Sequence, residues 1–343
     1  MKLFVVIVAN CAIVGSVGSA YAADTGVSGG SAPHFAVNDR IPGPDGGWDY
    51  ATIDERTHRL FLGRDAGVLS LDLKTKQITP VFVPGAGVHG AFPVGDSGLV
   101  LSTNGDKGTV TVFEGATGKV VGELPVGKGP DGAAYEPKTG LVAVMTHRGS
   151  AVLVDVRQRK VAGTVAVGGE LEFPAAAGDG RIFVNVANKH EIAVIDVPAK
   201  KLTTHFTLEG CVEPSGLAYD AADEWLISVC ANGVTKFVRA ADGGEIATLK
   251  TGSGSDGVLL DAARRLVFVP AGHDGTLTII GLRAGKPTVV QTLPTHKGAR
   301  LGALDTATGR VYLPSAQLGP PVPPDPWPSV KAGTFEFLVV GSQ

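Results

Sequence analysis

Residues 129–168, GPDGAAYEPKTGLVAVMTHRGSAVLVDVRQRKVAGTVAVG, decide the fold. Asp131 opens a short strand, and Glu136-Pro137 starts an acidic turn. Leu141-Val142-Ala143 begins a second strand, and Ala151-Val152-Leu153-Val154-Asp155 makes a third. Lys160-Val161-Ala162-Gly163 then reads as an edge strand running to Gly168-Gly169. Apolar and β-branched runs bounded by turn residues are strand signals. The unit is therefore four strands, lettered a to d.

Outward from this stretch the same unit occurs seven times. The residues that open it are Asp49, His89, Asp131, Glu172, Ser215, Asp256 and Arg300, at steps of 40, 42, 41, 43, 41 and 44. The acidic turn returns as Asp54-Glu55, Asp220-Ala221, Asp261-Ala262 and Asp305-Thr306, and the b strand as Leu60-Phe61-Leu62, Leu226-Ile227-Ser228, Leu266-Val267-Phe268 and Val311-Tyr312-Leu313. A period of this size signals a propeller or a solenoid. The seventh unit ends with its third strand, Thr334 to Val340, and has no fourth. Phe35 to Gly43 has the pattern of a d strand and precedes the first unit. Closure through both ends would shield the exposed edges. The expectation is an all-β, seven-bladed β-propeller of four-stranded antiparallel blades, one domain over residues 34–343, closed by the N-terminal strand pairing with the last blade.

Composition agrees. Gly at 48, Pro at 22, 44% apolar and only 18% charged residues suit many tight turns around a β core and do not suit disorder. The N-terminus reads differently: Lys2, an apolar run from Leu3 to Val17, then Ala20-Tyr21-Ala22 before Ala23. That is the pattern of a signal peptide (residues 1–22) cleaved after Ala22. Residues 23–33 are expected to be a flexible N-terminus. No later segment reaches the ~18 apolar residues of a spanning helix, so the protein is expected to be exported, periplasmic and not membrane-embedded, and to be a monomer. Without Lys2 the balance is 29 basic against 33 acidic side chains. Such a chain lacks the cationic excess that drives binding to phosphates, so nucleic acid is disfavoured. Two cysteines remain, Cys211 before the fifth blade and Cys230 at the end of its b strand. An oxidising compartment favours a disulfide between them; a free or metal-binding pair is the alternative.

The d-to-a and b-to-c connections of a propeller open on one face, so the seven opening residues should ring the channel mouth there. His147, His190 and His273 fall on the b-to-c loops of that face, with Lys107, Arg148 and Lys189. Convergent polar groups at the mouth of a β structure are the default ligand site. Three uses stay open. His89, Glu172, Asp131 and Asp256 could hold a divalent metal such as Ca, Mg or Zn. Arg300 and the loop cations could seat an anion while His147 or His273 moves a proton. Or the groups only cap strand ends and hold water. Trp48 precedes Asp49, where its indole would cover a ligand or cap the channel. His58 and His205 read as surface residues, and Trp225 as packing between blades. The proline-rich segment from Leu318 to Pro328 inserts between strands b and c of the last blade, as a stiff extended arm.

Several motifs together, Gly47-Trp48-Asp49-Tyr50, Val88-His89-Gly90, Ser102-Thr103-Asn104-Gly105, Gly129-Pro130-Asp131-Gly132 and Val311-Tyr312-Leu313-Pro314, make the chain resemble the YncE family of exported seven-bladed propellers, related to YVTN-repeat and NHL groups. The resemblance implies a periplasmic propeller, and parts of that family carry DNA-binding or surface-antigen labels. It supplies no catalytic residues. The expected function is a binding or scaffold protein that engages a small ligand or a periplasmic protein at the polar, His-rich mouth. A metal-dependent lyase or lactonase-like hydrolase at the same place is the alternative, and a DNA-binding propeller the second.

Overall fold

The computed structural model describes residues 34–283, 285–321 and 328–343. The expected signal peptide, the stretch 23–33 and residues 322–327 of the proline-rich arm lie outside them. Seven four-stranded antiparallel sheets form the blades. Blade 3, for example, runs Pro130–Glu136, Leu141–Thr146, Ser150–Asp155 and Lys160–Ala166. The a strands of the other blades are Ala51–Asp54, Val88–Pro93, Leu171–Ala176, Pro214–Asp220, Leu259–Asp261 and Ala303–Asp305. Each packs on the a strand of the next blade, and the last on the first, so the ring is closed.

The b and c strands are covered by neighbouring blades on both faces, which is why they are apolar almost throughout. Leu141–Thr146 is buried from Val142 onward, whereas the outer strand Lys160–Ala166 is mostly exposed. Burial is organised as seven apolar clusters, one at each interface between adjacent blades. Trp225 lies in the cluster between blades 5 and 6, as its sequence context implied. Every blade also carries a β-bulge between its c and d strands, for example between Leu153 and Val154. A bulge increases local twist, and the repetition of the device gives all seven outer strands the same sweep.

Blade 7 closes as its sequence requires. Its order is Ala303–Asp305, Arg310–Ser315, Glu336–Ser342 and then Phe35–Pro42 from the other end of the chain. Phe35 pairs with Ser342 and Pro42 with Glu336. Phe35 is anchored sideways as well, since the Gln291 side chain accepts from its N–H at 2.9 Å and donates to its carbonyl at 2.8 Å. The Arg64 guanidinium donates to the carbonyls of Pro44 and Gly46 and sits 4.1 Å over the Phe335 ring, fastening the strand's exit.

The acids of the a-to-b turns are structural. Asp54, Glu136, Asp220, Asp261 and Asp305 are all buried. Glu136 accepts from the backbone N–H groups of Lys138, Thr139 and Gly180, the last in the neighbouring blade. A disulfide joins Cys211 to Cys230, with Cα atoms 5.4 Å apart. No helix among the described residues is long and apolar enough to cross a membrane.

Candidate functional site

The opening residues reach the channel by two routes. In blades 2 to 5 the a-to-b ladder breaks at the opening residue itself, between Val88 and Ala91, Pro130 and Ala133, Leu171 and Pro174, and Pro214 and Leu217. These irregularities free His89, Asp131, Glu172 and Ser215 from the strand's alternation and let them turn inward. In blades 1, 6 and 7 the a strand begins only after the opening residue, so Asp49, Asp256 and Arg300 project from the entering loops.

Two hydrogen-bonded chains result. Along one, Arg300 Nε donates to Asp256 Oδ2 at 2.9 Å, and Ser215 Oγ lies 2.5 Å from Asp256 Oδ1 and 3.4 Å from Glu172 Oε2. Along the other, His89 Nδ1 lies 2.7 Å from Asp49 Oδ2 and 3.2 Å from Asp131 Oδ1, and the Tyr50 hydroxyl donates to Asp131 Oδ2 at 3.3 Å. His147 Nε2 stands 4.0 Å from Asp131 Oδ2. Four carboxylates thus share two basic partners within the ring, His89 and Arg300.

That imbalance governs the electrostatics. Burial, then the charges of Asp131 and Asp256, pushes Glu172 up to about 8. Burial and the nearby Asp49 also raise Asp131, against the pull of His89. Burial opposes charge on His89, but the hydrogen bond to Asp49 and the charge of Asp131 prevail and lift it to about 9. Burial and the proximity of His89 lower His147. Carboxyl groups whose pKa is raised toward neutral pH are a mark of functional sites.

The remaining residues singled out from the sequence are placed as follows. His190 and His273 are exposed on their b-to-c loops, outside the hydrogen-bonded chains; His190 Nδ1 accepts from the Glu213 N–H at 3.3 Å. Trp48 turns its indole into the core between blades 1 and 7, edge-on to Phe335 at 5.4 Å, and only its carbonyl reaches the ring, accepting from Arg300 at 3.0 Å. Of the proposed metal ligands, Glu172 and Asp256 meet at Ser215. His89 and Asp131 instead combine with His147, and these three are the described residues whose candidate donor atoms all lie within 4.8 Å of one another.

Sequence reading missed the floor of the mouth. Tyr50 and Phe173, each one residue after an opening residue, stack edge to face at 5.2 Å across the channel. The corresponding positions elsewhere are Gly90, Gly132, Gly216, Gly257 and Leu301. Glycine there is steric: a Cβ on Gly216 would lie 2.8 Å from the Gly257 backbone. Two large rings among small neighbours were the legible signal. Beyond this floor, further along the same a strands, lies a cavity of about 290 Å³ lined by Ile53, Leu217, Val258, Leu260 and Leu304. The mouth is accordingly a shallow polar cup over an apolar channel.

No family model and no curated protein matches the chain. Solved structures do. A chain of the mitotic checkpoint complex superposes with a TM-score of 0.71 at 13% identity, over 96% of this chain and 98% of that one. The RRP9 WD40 repeats superpose at 0.75 and 11% identity, over 89% and 97%. A chain of hydrazine synthase from Kuenenia stuttgartiensis reaches 0.68 at 14% identity, over 80% and 92%. At such identities the likeness shows the fold, a β-propeller, and the fold alone.

Proposed function

We propose that this protein is a binding scaffold of an oxidising, extracytoplasmic compartment whose channel mouth engages a small molecule or protein segment carrying positive charge. One observation carries the reading: Asp49, Asp131, Glu172 and Asp256 converge on a mouth whose ring supplies only His89 and Arg300 as basic partners. Once Glu172 ionises, near pH 8, a cationic ligand would complete the neutralisation. The disulfide supports the compartment, together with the leader-like N-terminus and the motifs shared with exported YncE-type propellers. A partner-binding role accords with the likeness to a chain of the mitotic checkpoint complex and to WD40 repeats.

The test is a thermal-shift and calorimetry panel of mono-, di- and triamines, from ethylamine to spermidine. Stabilisation by at least one amine is expected, weakened tenfold or more in Glu172→Gln/Asp256→Asn. Because Glu172 ionises only near pH 8, affinity should also rise between pH 6 and about pH 8.5. No amine binding, or binding untouched by the double substitution, would remove the reading.

A second reading, a lyase or hydrolase at the same mouth, is favoured by the carboxyl groups of Glu172 and Asp131, both raised toward neutrality where general acids and bases work best. A lactone and ester panel with Glu172→Gln as control tests it, and turnover lost in the variant would support it. The DNA-binding reading has no support in the charge of the mouth.

A further inference from the structure

We propose that one corner of the mouth, His89, Asp131 and His147, is a binding site for a divalent transition metal, with zinc as the type. This rests on the reading of the mouth as a cation site and names the corner and the ion.

The geometry fits. Two donors each 2.0–2.1 Å from zinc stand at most about 4.2 Å apart. His89 Nδ1 lies 3.2 Å from Asp131 Oδ1, and His147 Nε2 lies 4.0 Å from Asp131 Oδ2. Each of these separations falls within that limit, although to different oxygens of Asp131, and the donors of all three residues lie within 4.8 Å of one another, so His147 on its exposed turn closes in by a few tenths of an ångström to complete the set. The donors come from three places: the two bulged a strands of blades 2 and 3, and the b-to-c turn of blade 3.

The chemistry fits as well. Two imidazoles and one carboxylate suit zinc, cobalt or nickel, whereas calcium and magnesium require sets made of oxygen. Asp131 is 3% exposed, and its ion pairs among the described residues are with His89 and His147 alone. In the metal-free protein the His89 charge and the Tyr50 hydroxyl stabilise this buried carboxylate, and a divalent ion held by neutral imidazoles would take over that role. Asp49 Oδ2 lies 2.7 Å from the same His89 nitrogen and must give up that hydrogen bond when the metal takes the lone pair.

The surroundings leave room for the imidazoles and hold them. A Cβ on Gly105 would come within 2.6 Å of His89 Nε2, and one on Gly129 within 3.3 Å of the His147 ring. The His147 N–H donates to the Gly129 carbonyl at 3.0 Å, which fixes the turn that carries it. The His147 side chain keeps 45% of its exposure. With three protein donors and an open side toward solvent, the fourth position is left for water or for a group on the bound partner.

The test uses purified protein stripped with EDTA, titrated with zinc chloride by calorimetry and with cobalt chloride by visible absorption. The expected result is one equivalent of zinc and the intense bands of four-coordinate cobalt. His147→Ala, on an exposed turn, should weaken zinc at least tenfold, and Asp131→Asn should do the same if its melting temperature shows it folded. His205→Ala is the control, because His205 lies on the outer strand Lys201–Thr207, where it pairs with Glu191 at 2.8 Å, and reports adventitious binding. No saturable zinc binding, or binding that survives His147→Ala, overturns the proposal. Amine binding that persists while zinc fails removes the metal site alone, whereas failure of both removes the reading of the mouth with it.

Discussion

Glu136 closes the innermost strand of blade 3 and Glu172 opens that of blade 4, and their surroundings make them different chemical groups. Glu136 is saturated with donors, so it is structural. Its removal would strand the N–H groups of Lys138, Thr139 and Gly180, and Glu136→Ala should cost about 2–3 kcal/mol. Urea unfolding measures this, and a loss below about 0.5 kcal/mol would contradict the assignment. Glu172 meets a serine hydroxyl and other acids instead. Its pKa rises from the ordinary glutamate value of 4.5 to about 8 in the fold. The native state therefore holds a proton that the unfolded chain releases. The associated stability is fully present below about pH 4.5 and is lost as the pH rises through about 8. Glu172→Gln should remove this dependence, so its melting temperature relative to wild type should increase from pH 5 to pH 9. A constant difference across that range would show that Glu172 ionises normally.

At the scale of the element, closure and cross-linking make the strongest claims. Deleting residues 34–43 removes the outer strand of blade 7, uncovers the edge of Glu336–Ser342 and takes Phe35 and Ile41 out of the core. The truncated protein should lose its cooperative transition and the hydrogen-exchange protection of residues 336–342. A peptide of residues 34–43 supplied in trans should restore both, and an unchanged melting curve would refute the closure. The disulfide spans 19 residues of sequence. By loop entropy its removal in Cys211→Ala/Cys230→Ala should cost about 3 kcal/mol, read from denaturant midpoints of wild type and variant. The blade repeat was legible because both signals it needs, alternation and turn residues, are local. The bulges that aim His89, Asp131, Glu172 and Ser215 were not, since a ladder break depends on what the partner strand does.

At the scale of the whole molecule, the closed ring turns a sequence period into a site: residues some forty positions apart become neighbours at one mouth. The seven opening residues could be named from spacing alone, and the structure gathers them into two hydrogen-bonded chains. What spacing could not reveal was the direction of side chains. Trp48 faces the core although it adjoins Asp49, and His147 approaches Asp131 from a loop whereas His190 and His273 stay outside the chains. The aromatic floor of Tyr50 and Phe173 likewise follows from which positions glycine vacates. The most direct test of a cation-binding mouth is a crystal structure, at pH 8.5, of the protein with the amine that stabilises it most. Nitrogen density within hydrogen-bond distance of Glu172 and Asp256, above the Tyr50 and Phe173 rings, is the predicted result; an amine bound on the outer wall with the mouth unchanged would contradict it.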